Sequence, residues 1–301
     1  MSAGPAASTV PIAERAVATL TVPGYVDFLA VDGRGVWATN TDRVERFELG
    51  QTDPVATIAV PGACGAMVVA DESLWVAGCK DQTVHRVDLR SRRVVASIRT
   101  GLADPQGELS LAAGADSIWV PSDERGVLTR IDAATNEILA EIEVLPGSYC
   151  AAFGFDAVWI TNSAFGGRGS TGSVQRVDPV TNQVTALIRT GPDPRFLAAG
   201  EGGVWTFNWA DGSVTRIDPR DNSTVELPLG IHGGGGDITT GAGRVWLRGA
   251  DTLLVTIDPA TNQVDEVYGP PEGSGAVRVA DDLVWVTAHD TKTIWVLDTG
   301  S

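Results

Sequence analysis

Cysteine is scarce in this 301-residue chain: Cys64, Cys79 and Cys150 permit at most one intramolecular bridge and a leftover thiol, so no disulfide framework organises the fold. Long apolar runs are missing as well, and nothing approaches the roughly 18 residues that a membrane-spanning helix needs. Basic residues are few, 22 Lys and Arg against 38 Asp and Glu, for a formal charge of -16. Such a surface repels phosphate and excludes nucleic acid as a partner. The opening stretch, MSAGPAASTVPIAERAV, has neither a basic n-region nor an apolar h-region and does not read as a signal peptide. An Ala/Ser/Pro-rich start is also what a removed export signal or upstream segment leaves behind, so the compartment stays open. Neither HExxH, CxxC nor a Ser/His/Asp order is present to mark a known catalytic apparatus.

What the chain has instead is tryptophan at a fixed period. Trp37, Trp75, Trp119, Trp159, Trp205, Trp246 and Trp285 lie about 40 residues apart, the signature of a repeat architecture. Each sits in a short β-type run (GVWATN, SLWVAG, AVWITN) after a small or acidic turn, and a second run follows that ends on an acidic residue (VHRVD, LTRID, VQRVD, VTRID, LVTID). Val17 to Val22 matches the outer run of later repeats but has no repeat before it, whereas the last repeat stops after IWVLD (294 to 298). The N-terminal run therefore completes the last blade and removes an open sheet edge. These features predict an all-β fold: a seven-bladed β-propeller of four-stranded antiparallel blades, one domain over 1–301, with 1–14 a flexible start and 17–22 the closing strand. Both faces of each blade pack on neighbours, so the tryptophans belong to the inter-blade core. The turns DPVTN, DPRDN and DPATN use Asp to hold turn amides, Pro to preset φ and Asn to adopt the left-handed conformation, which makes them structural and not a metal array.

With VWITN, VQRVDPVTNQV and LIRTGPDPRFLAAGEGGVW in view, the chain resembles the YVTN-repeat or YncE-like propellers, over residues 17–298. Through repeat length and closure it is distantly similar to the virginiamycin B (streptogramin) lyases, also propellers, which open a lactone by metal-assisted elimination. Where those enzymes read WFTE, this chain reads WATN, WITN and WTFN. The resemblance implies the fold; its enzymatic branch implies a divalent cation, Mg or Ca, as cofactor. DNA binding, linked to some YncE-like relatives, is opposed by the charge.

Function in a ring of repeats is expected where the repeats differ. The crossing GLADPQGEL and the loop NSAFGGRGSTGS are both longer than their equivalents and fall on adjacent blades at the same face, the top. Aligning the repeats on tryptophan without gaps pairs Cys64 with Cys79, Glu108 with Asp123 and Ser274 with His289 across the mouth of the channel. The candidate ligand-binding residues there are Glu108, Asp123, Tyr149, Asn162, Phe165, Arg168, Arg195, Phe196, Asn208, Trp209, Asp237 and Arg248; His232 and His289 are the candidate general bases. Each has a structural alternative: the carboxylates as solvated rim charges, the histidines as exposed loop residues, the asparagines as turn supports. The expectation is a binding propeller, the sensor or scaffold part of a larger bacterial protein, acting as a monomer on a small molecule or protein. The alternatives are a metal-assisted lyase or hydrolase and a purely structural repeat protein.

Overall fold

A computed structural model describes residues 9–78, 81–100, 110–122, 125–163, 172–232 and 235–300. Local geometry begins with two-residue turns. Asp71 and Glu72, Ala115 and Asp116, Phe155 and Asp156, Glu201 and Gly202, and Ala242 and Gly243 all have positive φ. That conformation matches the right-handed twist of the strands it joins and closes a tight hairpin between the first and second strand of a blade. The chain thus forms seven sheets, each with four antiparallel strands; in six of them these four follow in sequence order from the inside out, and in the seventh an N-terminal strand takes the outermost place. The innermost strands are Leu29–Asp32, Ala63–Ala70, Ala112–Gly114, Ser148–Gly154, Pro194–Gly200, Gly236–Gly241 and Val277–Ala280, and each touches the next around a closed ring. The protein is a seven-bladed β-propeller.

Second strands carry the tryptophans, from Gly35–Asn40 in blade one to Leu283–Ala288 in blade seven. All seven rings are at most 3% exposed. Burying a side chain of that size removes roughly 150–250 Å² from water, worth about 4–6 kcal/mol by area. In blades three to six the indole N–H also donates to the carbonyl five residues earlier, as Trp119 does to Gly114 at 3.0 Å. In those four blades packing and polarity are satisfied together, whereas Trp75 and Trp285 leave the indole N–H without a hydrogen-bond partner among the described residues; all seven rings are buried between blades.

Ala16–Thr21 pairs antiparallel with Thr293–Asp298 and completes blade seven. Ahead of it, within the stretch expected to be a flexible start, Thr9–Pro11 runs parallel to Gln263–Gly269 as a fifth strand on the outer edge of blade six. The connecting turn, Ile12–Glu14, buries Ile12 in a cluster with Trp246, Leu253, Tyr268 and Trp295. The N-terminal arm therefore straps blades six and seven together. Among the described residues no helix is long and apolar enough to cross a membrane.

A second inter-blade device lies on the bottom face. The residue paired with the tryptophan of blades two to five is an arginine: Arg86, Arg130, Arg176 and Arg216. Each guanidinium carbon stacks 4.9–5.2 Å from its own indole. Each guanidinium also donates to the turn between the third and fourth strand of the next blade. Arg130, for example, reaches Pro179 O at 2.6 Å and Asn182 Oδ1 at 2.9 Å. Arg86 uses Ala134 and Asn136, Arg176 uses Pro219 and Asn222, and Arg216 uses Pro259 and Asn262. All four asparagines have positive φ, so the conformation that makes the turn also aims its side chain at the neighbour. The first aspartate holds the same turn from within: Asp178 accepts from Val180 N at 2.7 Å.

Candidate functional site

The top mouth forms where second strands turn into third strands and where the chain crosses between blades. In blade five Pro194–Gly200 and Gly203–Asn208 bring Arg195, Phe196 and Trp209 to this rim, and Ser148–Gly154 of blade four adds Tyr149. Tyr149 and Phe196 meet edge to face at 5.9 Å, Phe196 and Trp209 lie 5.9 Å apart, and Phe28 of blade one reaches Phe196 at 6.3 Å. Arg195 stacks its guanidinium 4.9 Å from the rings of both Tyr149 and Trp209, and its Nε donates to Asp193 at 2.9 Å. Burial opposes the Arg195 charge, but Asp193 and Tyr149 outweigh it and raise the pKa. Four of the expected residues thus form one cluster.

Arg248 lies deeper, on Arg244–Gly249 of blade six, and is fully buried. Its Nε donates to Thr287 O at 3.1 Å and its Nη1 to Gly249 O, while Nη2 has no hydrogen-bond partner among the described residues. No ion pair among those residues includes it. Burial pulls its pKa down to about 10, against the field of Asp27, Glu272, Asp290 and Asp237, so it stays charged at neutral pH. Asp237 faces Arg248 in the ladder yet turns its carboxylate to Arg278 and to the amides of Ile238 and Val277. Burial raises the Asp237 pKa and Arg278 opposes that rise. Asp237 and Arg278 line an open cavity of about 250 Å³ among the inner strands, together with Ser110, Cys150 and Met67.

The two histidines separate. His289 donates its main-chain amide to Ser274 O at 3.2 Å, so these residues do face each other. Its ring stacks on Tyr25 at 4.3 Å, with Nε2 3.3 Å from the Tyr25 hydroxyl and Nδ1 2.9 Å from Asp290 Oδ1. Burial depresses its pKa, Asp290 opposes and Arg248 adds to the depression. At neutral pH the ring is neutral and able to accept a proton. His232 is exposed, with its backbone N–H held by Asp251 Oδ2 at 2.7 Å.

Both asparagines are engaged within the protein. Asn162 donates to the carbonyls of Leu145 and Pro146, and Asn208 bonds Ser213 and Thr215 at 2.9 Å and accepts from Thr206. Glu108, Asp123, Phe165 and Arg168 lie outside the described residues, as does Cys79. Among the residues described, no three His, Cys, Asp or Glu side chains converge as a metal site.

The gap-free register across the mouth needs correction in three blades. Cys64 pairs with Ala77, Ser148 with Asn162 and Pro194 with Asn208, because the inner strands of blades two, four and five carry bulges that slide the ladder near the top. Blade six keeps the simple register, with Gly236 opposite Gly249. Cys64 is disulfide-bonded, and Cys150 is a buried free thiol whose pKa burial pushes up to about 11. Sequence reading missed Tyr25 and Phe28, which reach the mouth from the crossing into blade one; their aromatic character there was the available signal.

No family model matches this sequence, and no curated protein is detectably similar to it in sequence. Solved structures do share its fold. Virginiamycin B lyase from Staphylococcus aureus superposes with a TM-score of 0.71 at 14% identity, over 93% of this chain and 98% of that one. A hydrazine synthase chain from Kuenenia stuttgartiensis gives 0.77 at 12% identity, over 93% and 96%. The Neurospora crassa Pan2 WD40 domain gives 0.72 at 14% identity, over 92% and 90%. A lyase, a synthase and a WD40 domain share the architecture, so the likeness establishes the propeller and leaves function to the site.

Proposed function

We propose that this chain is a binding propeller whose recognition surface is the top mouth, and that it takes a small molecule with a planar or apolar body and an anionic group. One observation carries the reading: two buried donors at the mouth, Trp209 Nε1 and Arg248 Nη2, have no partners among the described residues. Buried donors are almost always satisfied, and an orphan in a functional position calls for a partner that comes and goes. The stacked rings of Tyr149, Phe196 and Trp209 supply the apolar wall, and Arg195, held by Asp193, is preorganised beside it. A small-molecule library screened by thermal shift tests the reading. A hit should lose at least about tenfold in affinity in both Trp209→Ala and Arg248→Met, and keep it in Val180→Ser on the opposite face. Hits that bind all three variants equally would place recognition elsewhere.

A second reading, a metal-assisted lyase, is favoured by His289, a neutral imidazole placed between Asp290 and Tyr25 at the same mouth. It would serve as the base, with a divalent cation stabilising the charge that develops in the substrate. A catalytically inactive histidine-to-alanine variant of virginiamycin B lyase, solved with quinupristin, shares this fold with a TM-score of 0.74 at 14% identity. Quinupristin with Mg is therefore the substrate to assay, and turnover that survives His289→Gln would sink this reading.

A further inference from the structure

Cations are unevenly spread over this acidic chain. Among the described residues, the Arg and Lys side chains that enter neither an ion pair nor a hydrogen bond are Arg90, Arg92, Arg93, Arg99, Arg189 and Lys292. Four of these six lie on one turn and one strand of blade two, and all four are exposed.

The turn is where the repeat changes. In blades three to six the fifth residue of the turn between third and fourth strand is an asparagine, Asn136, Asn182, Asn222 or Asn262, which accepts the clasp from the blade before it. In blade two Arg92 holds that place, in a left-handed backbone conformation (φ 56°) that Asn and Gly adopt more readily. A guanidinium there offers no acceptor, and Arg46 of blade one turns instead to Asp32 and Glu48 of its own blade. Blade two thus has three exposed cations, Arg90, Arg92 and Arg93, where its neighbours have an inter-blade bond.

The strand that follows, Arg93–Arg99, is the outer edge of its sheet and pairs only with Thr83–Asp88 among the described residues. Val94, Val95 and Ser97 are exposed along it, and Arg99 stands at its far end. At about 3.3 Å per residue the edge spans roughly 20 Å. The chain itself shows how such an edge is covered: in blade six Thr9–Pro11 lies parallel against Val267, Tyr268 and Gly269. Aligning the ladder pairs Asp258–Gln263 and Asp88–Arg93 puts Ser97, Ile98 and Arg99 at the same places in blade two. The outer strands of blades three and five carry the opposite sign, Glu141 and Glu143 in one and Glu226 in the other.

We infer that the outer edge of blade two is a docking site for an acidic, extended segment of a partner polypeptide, added as a parallel fifth strand. The backbone of Ser97, Ile98 and Arg99 supplies ladder bonds, Val94 and Val95 supply apolar contact, and arginines at both ends select carboxylates. The net charge of -16 repels such a segment from the rest of the surface, so the four guanidinium groups also fix where it lands.

The probe is the peptide acetyl-Glu-Glu-Glu-Val-Thr-Val-Glu-amide, titrated into the 15N-labelled full chain. The amides of Ser97, Ile98 and Arg99 should shift saturably and exchange more slowly with solvent, while those of Gln183–Arg189 at the edge of blade four stay unchanged. Arg92→Asn with Arg93→Gln gives this turn the Asn-Gln pair of blades four and six; it should keep or raise Tm and lower the affinity about fivefold or more. Proline in place of both valines of the peptide keeps its charge but removes ladder donors, and should abolish the protection. No saturable shift in the wild-type chain, unchanged binding in the double variant, or equal binding of the proline peptide or of a short single-stranded DNA overturns the assignment. Self-association of the chain that the double variant abolishes overturns it too, because the edge would then belong to a second copy.

Discussion

Replacing Arg130 by Met tests whether the guanidinium clasps, and not merely the tryptophans beneath them, hold adjacent blades together. Arg130 donates to Ser117 Oγ at 2.8 Å within its own blade, and to Pro179 O at 2.6 Å and Asn182 Oδ1 at 2.9 Å in the next. Methionine keeps the stem packed on Trp119, so the change removes charge and donors with little loss of apolar contact. Hydrogen bonds from a charged group contribute about 1.5–3 kcal/mol each, but the freed acceptors sit on a partly exposed turn where water replaces much of that. Adding about 0.5–1 kcal/mol for the stacking at 4.9 Å, the net loss should be about 2 kcal/mol. For a 301-residue domain, with an unfolding entropy of roughly 2.1 cal/mol/K per residue, that is a fall of about 3 °C in Tm. Asn182→Gly keeps the left-handed turn while removing the acceptor, so a double-mutant cycle in urea isolates the inter-blade bond, with an expected coupling of about 1 kcal/mol. Arg220→Met is the control, because that side chain is 87% exposed and bonds only Asp218 of its own turn; it should leave Tm unchanged. A coupling below about 0.3 kcal/mol, or an equal effect of the control, would show that the clasps are spectators.

Removing residues 1–23 deletes the outer strand of blade seven and the fifth strand of blade six, exposing the edges of Thr293–Asp298 and Gln263–Gly269. The truncated chain should aggregate or melt far below the full chain, and an unchanged melting point would refute the strap. His289 supplies a pH signature. Its folded pKa is depressed below 6.5, so as pH falls through 6.5 the unfolded state takes up the proton first, and stability declines from there down to the folded value. Above that window its contribution is complete. Unfolding in urea from pH 7.5 to 5 should show the decline in the wild-type chain and a shallower one in His289→Gln; equal slopes would mean that the ring is not desolvated as described.

The propeller was legible because its cause is periodic. Seven tryptophans with a two-residue turn before each one fix the hairpins, and the unmatched run at Val17 finds its place only by completing IWVLD. The mouth was legible as a location, since Tyr149, Arg195, Phe196 and Trp209 do come together, but not as a register. Bulges in blades two, four and five slide Cys64, Ser148 and Pro194 against their partners, and a bulge depends on how neighbouring inner strands crowd the channel, which a single repeat does not display. Asn162 and Asn208 looked like a ring of ligands because they recur; they recur because each holds a crossing or a hairpin.

The clasps show what pattern reading misses when a contact spans two repeats. Arg86, Arg130, Arg176 and Arg216 were visible in VHRVD, LTRID, VQRVD and VTRID, and Asn136, Asn182, Asn222 and Asn262 in the turns that follow, yet donor and acceptor stand about one repeat apart and only adjacent blades bring them together. Once the pairing is known, the sequence becomes informative again. The clasp is confined to blades two to five: Arg46 of blade one bonds Asp32 and Glu48 of its own blade, and blades six and seven carry Thr256 and Val296 opposite their tryptophans. The same logic governs the mouth: a closed ring makes its repeated residues structural, and Arg248, fully buried with its Nη2 lacking a hydrogen-bond partner among the described residues, stands where the repeats differ.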